Sequence, residues 1–119
     1  MDYLWDGFII FLGTENMDLT HKFYSKSLGF ASYEENECKI YNIPGGGKIG
    51  FTCEINPYQK INPIITLITP YVDSLYTKFK GEGICIKEKP KYCNDKYYFH
   101  MLDPNGYTIE IQKKINYSI

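Results

Sequence analysis

Two side chains near the end of the sequence have the types and spacing for proton transfer, the imidazole of His100 and the carboxylate of Glu110. The segment Asp103-Pro104-Asn105-Gly106 lies between them and is typical of a tight turn. We expect the flanking segments to pair as adjacent strands and to bring both groups within hydrogen-bonding or single-water reach. Such a pair can act in acid–base chemistry near neutral pH. The alternatives are a structural histidine and a carboxylate that only hydrogen-bonds to neighbouring polar groups.

Strand alternation predicts the companions of this pair. Side chains of a strand point to opposite faces in turn, so a Glu110 that faces a cleft brings Thr108 and Gln112 with it. The apolar residues between them then face the helices. By the same rule, Tyr98 accompanies His100.

The cysteines do not suggest a metal site. Cys38, Cys53, Cys85 and Cys93 are separated by 15, 32 and 8 residues (53−38, 85−53, 93−85), which matches no zinc pattern. In a reducing compartment we expect four unpaired thiols. We expect His21, in the first helix, to be solvated.

Composition excludes several classes of partner. The net charge is −1, and all 13 basic residues are lysines scattered among 14 acids, so no stripe could neutralise a nucleic-acid backbone. No apolar stretch approaches the roughly 18 residues of a membrane span, and the first residues lack the pattern of a signal peptide. We therefore expect a cytoplasmic protein with neither nucleic-acid nor membrane partners.

The elements that must position these residues fall into two series. In the first, residues 7–13 read as a buried strand, Glu15-Asn16-Met17-Asp18 offers an acidic, Asx-type helix start, and the helix runs to Leu28 with Gly29 as its stop. Three short strands are predicted next, over 31–34, 38–43 and 48–55. In the second series, strand 64–69 leads through Pro70 into helix 71–80. It is followed by strands 83–88, 97–102 and 107–113, with a polar loop over 89–96.

The two series form a repeat. Tyr24, Lys26 and Gly29 recur as Tyr76, Lys78 and Gly81, each at an offset of 52 (76−24, 78−26, 81−29). Each copy reads β-α-β-β-β, which predicts an α+β fold. Because 119 residues are too few for two independent domains, we expect one domain over 1–119, with module one at about 5–55, a linker at 56–63 and module two at about 64–113.

Three blocks in this order resemble the vicinal oxygen chelate superfamily: the duplicated unit, Phe23-Tyr24-x-x-x-Leu28-Gly29-Phe30, and Asp103-Pro104-x-Gly106-x-x-Ile109-Glu110. That superfamily includes glyoxalase I, fosfomycin-resistance and bleomycin-resistance proteins and extradiol dioxygenases. The resemblance covers roughly residues 5–113. It implies a mixed sheet that curls around a cleft between the modules, commonly completed by a second subunit, so we expect a homodimer.

The resemblance also implies where a metal would bind. Catalytic members typically hold a divalent ion with a His in each copy's first strand and a Glu in each copy's last strand. Here Ile9 and Ile64 stand at the two His positions, and the first acidic position falls near residues 51–53, which leaves Glu110 alone. One carboxylate cannot hold such an ion against water. We therefore predict no metal and no cofactor.

The function that fits these residues best is metal-independent binding of an aromatic or apolar small molecule in the inter-module cleft. The predicted ligand-binding residues are Trp5, Phe11, Tyr41, Phe51, Thr66, Tyr98, Thr108 and Gln112, with Glu110 and His100 as candidate catalytic residues. The alternative is a lyase, isomerase or dioxygenase-type enzyme that uses Glu110 and His100, or a metal with non-standard ligands. A third possibility is an accessory subunit of a larger complex.

Overall fold

Both halves of the chain contain the same succession of elements: a strand, a helix and three further strands. The computed structural model describes residues 6–57 and 63–115, and the chain divides into two compact units between residues 59 and 60. The elements of unit one are β1 (Ile9–Gly13), α1 (Met17–His21), which continues as a π-helix (Lys22–Ser27), β2 (Ser32–Glu35), β3 (Cys38–Asn42) and β4 (Lys48–Thr52). Those of unit two are β5 (Ile64–Ile68), α2 (Val72–Gly81), β6 (Lys91–Cys93), β7 (Lys96–Leu102) and β8 (Thr108–Lys114). The predicted α+β fold and the β-α-β-β-β order are confirmed.

Unit one is a four-stranded mixed sheet in the order β1-β4-β3-β2. The first strand pairs with β4 in parallel, and the other neighbours are antiparallel. A parallel pair needs a crossover, which the helix supplies. The helix begins where predicted, because the Asn16 side chain accepts a hydrogen bond from the Leu19 amide at 3.0 Å.

The core of unit one lies between the helix and one face of this sheet. The ring of Tyr24 is fully buried, with its centroid 5.3 Å from that of Tyr41 and 4.8 Å from that of Phe51. Both partners are also fully buried. The prediction that Tyr41 and Phe51 bind ligand is therefore corrected: they face the helix and form the core, where aromatic packing stabilises the unit.

The helix of unit one ends at a left-handed glycine, as predicted. Gly29 has φ +76°, which a residue with a side chain adopts at a cost. The preceding turn is wider than an α-helix, because the Leu28 amide donates to the Phe23 carbonyl five residues back.

Unit two repeats this arrangement in the order β5-β8-β7-β6, with β5 and β8 parallel. Helix α2 covers one face, where Phe79 is buried and the rings of Tyr76 and Phe99 meet edge to face at 5.5 Å. The left-handed residue after this helix is Gly83, at φ +80°, because α2 continues through Gly81.

The predicted strand over residues 83–88 is wrong. These residues form no strand, and β6 lies instead at Lys91–Cys93, inside the segment predicted as a loop. The reason is the two-residue turn at Asn94 and Asp95, in which Asn94 has φ +55°. This turn aligns residues 91–93 with the edge of β7. The earlier segment is joined to that strand by a backbone hydrogen bond, in which the Leu102 amide donates to the Cys85 carbonyl at 3.1 Å.

Candidate functional site

The face of the second sheet opposite α2 carries a row of polar side chains. Strand register places His100 opposite Glu110, Glu110 opposite Thr66, and Tyr98 opposite Gln112. Directly opposite residues share a face of the sheet. We call this surface the polar face; it comprises Thr66, Lys96, Tyr98, His100, Thr108, Glu110 and Gln112.

Glu110 is the centre of the polar face. Its side chain is 7% exposed, and three side chains donate hydrogen bonds to its carboxylate. His100 Nε2 lies 2.7 Å from Oε2, Lys96 Nζ lies 3.1 Å from Oε2 and 3.2 Å from Oε1, and Gln112 Nε2 donates to Oε1. The predicted proximity of His100 and Glu110 is confirmed, as a direct hydrogen bond.

These contacts fix the ionisation of the carboxylate. Burial raises the pKa of Glu110, but the hydrogen bonds from His100, Lys96 and Gln112 outweigh it and hold the pKa below its ordinary value. An ionised carboxylate only accepts hydrogen bonds, so Nε2 of His100 carries the proton that the two groups share. In the neutral imidazole, Nδ1 is then the basic nitrogen. The side chain of His100 is 44% exposed, which leaves this ring accessible.

Tyr98 extends the polar face with an aromatic surface. Its ring lies 5.2 Å from that of His100, and the ammonium groups of Lys96 and Lys91 lie 4.4 and 5.9 Å from its centroid. Cations at this range are attracted to the electron-rich face of the ring. Tyr98 therefore lies among positive groups.

A pocket of about 400 Å³ opens beside this aromatic surface, within unit two. Its lining comes from residues 85–91, which lead from α2 into β6, from β7 and from Thr108 of β8. The lining residues are Cys85, Lys87, Glu88, Lys89, Lys91, Tyr98, Phe99, His100, Met101, Leu102 and Thr108. Its size is within the usual range of small-molecule sites.

The other residues of the predicted site lie apart from this pocket. Thr66 is exposed on β5, and Gln112 is buried beside Glu110 with a side-chain oxygen that has no hydrogen-bond partner among the described residues. Phe11 is 44% exposed on β1 in unit one. Trp5 lies outside the described residues.

The register also locates the first-copy counterpart of Glu110. In unit one, Ile9 pairs with Lys48 and Phe11 with Gly50; in unit two, Ile64 pairs with Thr108 and Thr66 with Glu110. The counterpart is therefore Gly50, which directly precedes the predicted neighbourhood of 51–53. The ring of Phe11 lies over this glycine, because a Cβ there would come within 2.6 Å of it.

His21 and the cysteines show one difference from expectation. His21 is half-buried and its Nδ1 lies 2.9 Å from the Tyr41 hydroxyl, so it is a structural partner and not a solvated side chain. Burial raises the pKa of Tyr41 to about 12, which keeps this hydroxyl protonated. All four cysteines are unpaired, as predicted.

Sequence reasoning missed the lysines of the site. Lys96 has the strand parity of Tyr98 and His100, so the alternation rule that found those residues would have found it. Alternation would not have found Lys87 and Lys89, because they lie in a segment that forms no strand and Glu88 between them also lines the pocket. Lys91 lies opposite Tyr98 in the pairing of β6 with β7.

The described part of the chain has no metal-binding cluster of His, Cys, Asp or Glu side chains. Within residues 6–57 and 63–115, no group of three or more His, Cys, Asp or Glu side chains is placed to hold a metal ion. Neither is any helix in this part of the chain long and apolar enough to cross a membrane.

Solved structures with the same fold are numerous. The antibiotic-binding protein TnmS3 from Streptomyces sp. CB03234 superposes with a TM-score of 0.79 at 14% identity, covering 96% of this chain and 99% of that one. Lactoylglutathione lyase from Agrobacterium tumefaciens superposes with a TM-score of 0.72 at 13% identity, covering 89% of this chain and 91% of that one. Virulence protein STM3117 from Salmonella typhimurium superposes with a TM-score of 0.72 at 23% identity, covering 97% of this chain and 100% of that one. At these identities the likeness shows the fold alone.

The family of this chain follows from its match to a model of a protein superfamily. No curated protein matches the sequence. The model of the Glyoxalase/Bleomycin resistance protein/Dioxygenase superfamily matches residues 9–111, which spans both units and ends beyond Glu110. The chain therefore belongs to the glyoxalase/bleomycin resistance protein/dioxygenase superfamily.

Proposed function

We propose that this protein binds a small aromatic or apolar molecule without a metal, at the pocket beside the polar face of unit two. The observation that carries the proposal is the state of Glu110. Glu110 is the one acidic residue at a position where family members hold a metal. Its carboxylate accepts hydrogen bonds from His100, Lys96 and Gln112, so these side chains occupy the oxygen atoms that a metal would need.

The residues at the remaining family positions support metal independence. Ile9 and Ile64 supply no donor atom, and Gly50 has no side chain. A divalent ion at Glu110 would have to displace the Lys96 ammonium and, even with His100 as a second donor, would still lack a third protein ligand.

The pocket supplies surfaces for a flat or apolar ligand. Tyr98 and His100 present rings, and Leu102 adds an aliphatic side chain that is 36% exposed. Aromatic rings bind flat molecules by offset stacking or edge contacts. TnmS3, described as an antibiotic-binding protein, supports by analogy a binding role on this fold.

Thermal unfolding with a panel of aromatic and apolar compounds tests this proposal. We expect a bound compound to raise Tm equally with and without EDTA, since binding to the folded state alone stabilises it. Purified protein should contain less than about 0.1 equivalent of Ni, Zn, Mn or Fe. Stoichiometric metal that is lost in Glu110→Ala would contradict the proposal.

A matched pair of tyrosines locates the site. Tyr98→Ala should abolish the ligand-induced rise in Tm. Tyr92→Ala should keep it, because Tyr92 is 74% exposed and pairs with Tyr97 on the other face of the same hairpin. Equal effects of the two changes would place the ligand elsewhere.

A second candidate, a proton-transfer enzyme, is favoured by the 2.7 Å bond between His100 and Glu110. The carboxylate fixes the ring so that Nδ1 is the basic nitrogen, as in sites where an acidic residue orients a catalytic base. Turnover of a bound compound that is lost in His100→Gln, with binding retained, would establish this activity. Binding without turnover would leave the first proposal.

A further inference from the structure

We propose that the ligand of this pocket carries an anionic group, held by the ammonium groups of Lys87 and Lys89. This inference rests on the proposed function and adds the chemical class of the ligand, an aromatic acid. It follows from the charges that line the pocket.

The pocket lining is positively charged in a chain that is not. Three lysines line the pocket, Lys87, Lys89 and Lys91, against the single carboxylate of Glu88, whereas the whole chain has a net charge of −1. The concentration of positive charge is therefore local. A concave site lined by one sign of charge raises the local concentration of the opposite ion.

The ion pairs show which lysines are available. Lys91 Nζ lies 3.0 Å from Glu88 Oε2, so this pair neutralises itself. Lys87 and Lys89 have no ion-pair partner within residues 6–57 and 63–115, and both line the pocket. Two lysines that form no ion pair with the rest of the described chain therefore line the pocket.

The carboxylate of Glu110 on the polar face does not neutralise the positive charges of Lys87 and Lys89. Glu110 is 7% exposed, paired with Lys96 and absent from the pocket lining, so its charge is neutralised beneath the surface. The electrostatic preference of the pocket is then set by Lys87 and Lys89.

The remaining lining defines the rest of the ligand. Tyr98, His100 and Leu102 offer two rings and an aliphatic surface. A molecule that satisfies both parts has a flat apolar body and one acidic substituent. An acid whose charge meets an ammonium while its ring meets Tyr98 is the simplest such ligand.

Three probes of one shape test the charge: naphthalene-2-carboxylate, naphthalene-2-carboxamide and naphthalen-2-ylmethylammonium. We expect the Kd, measured by NMR titration at low ionic strength, to be lowest for the carboxylate and highest for the ammonium. Added salt should raise the Kd of the carboxylate probe alone, because salt screens the attraction between exposed charges.

Two double variants with equal charge change locate the effect. Lys87→Gln with Lys89→Gln should raise the Kd of the carboxylate on the order of tenfold and leave the carboxamide unchanged. Lys22→Gln with Lys26→Gln, two exposed lysines of the first helix, should leave both unchanged.

The outcomes separate this inference from the proposed function. Equal binding of carboxylate and carboxamide would overturn the anionic ligand and leave small-molecule binding intact. Equal losses in the two double variants would also overturn it, because net charge would then be the cause. No binding of any probe at millimolar concentration would overturn both proposals.

Discussion

Glu110 links the stability of the second unit to pH. Its pKa in the folded protein is lowered, so the ionised form stabilises the fold at pH values above its unfolded pKa. This contribution is lost as the pH falls through the folded pKa. We expect Glu110→Gln to lower the free energy of unfolding at pH 7 by about 1–3 kcal/mol, the usual cost of removing a partner from charged hydrogen bonds. Urea unfolding from pH 7 to pH 3 should show the gap closing in acid.

Glu34→Gln is the control for this change. Glu34 also has a lowered pKa, through its hydrogen bond to Lys39, but the pair is on the surface. Surface ion pairs contribute little to stability, so this variant should unfold like the wild type at each pH. A constant gap between wild type and Glu110→Gln at every pH would show that packing, and not charge, is lost.

At the scale of residues, strand parity decided which predictions succeeded. His100, Glu110, Tyr98, Thr108 and Gln112 share a face because each strand alternates and the turn fixes their register. Parity could not place Tyr41, because apolar residues occur on both faces of β3. In β4, parity puts Phe51 on one face with Ile49, but it does not tell whether that face lies under the helix. The contacts of Tyr24 make that distinction.

At the scale of elements, the repeat conceals a difference between two glycines. Gly29 ends its helix at φ +76°, whereas its counterpart at the 52-residue offset, Gly81, is the last residue of α2. Gly29→Ala should therefore lower the free energy of unfolding by about 1 kcal/mol. Gly81→Ala should be neutral or raise it by up to about 1 kcal/mol, because a Cβ there meets no atom within 4 Å.

Urea unfolding of the two variants measures this difference. They form a matched pair, since neither added methyl group would collide with other atoms. Equal losses in both would show that backbone conformation is not the cause.

The elements that the sequence predicted correctly have clear local signals. Asn16 and Gly29 bound the first helix, and an apolar run marks β1. Residues 83–88 alternate like a strand, yet pairing partners and not alternation decide whether a strand forms. Because of the turn at Asn94 and Asp95, residues 91–93 and not residues 83–88 pair with the edge of β7. Which of two segments pairs with a strand cannot be read from either segment alone.

At the scale of the whole molecule, each sheet ends in an exposed apolar strand. β1 lies at one edge of its sheet and β5 at one edge of the other. Ile10 is 51% exposed on the first, and Ile64 and Ile68 are 57% and 62% exposed on the second. Apolar edge strands expose unpaired backbone groups and favour association with another chain.

We expect these strands to be covered in a homodimer. Sedimentation at micromolar concentration should give twice the 13.9 kDa of one chain. Ile10→Lys with Ile68→Lys should shift the protein to monomer, since a charge cannot be buried unpaired in an interface. Tyr71→Lys is the control, because Tyr71 is 67% exposed at the start of α2 and belongs to neither edge strand. A wild-type species near 13.9 kDa alone would contradict the homodimer, and dissociation caused by Tyr71→Lys alone would place the interface on the helix side of unit two.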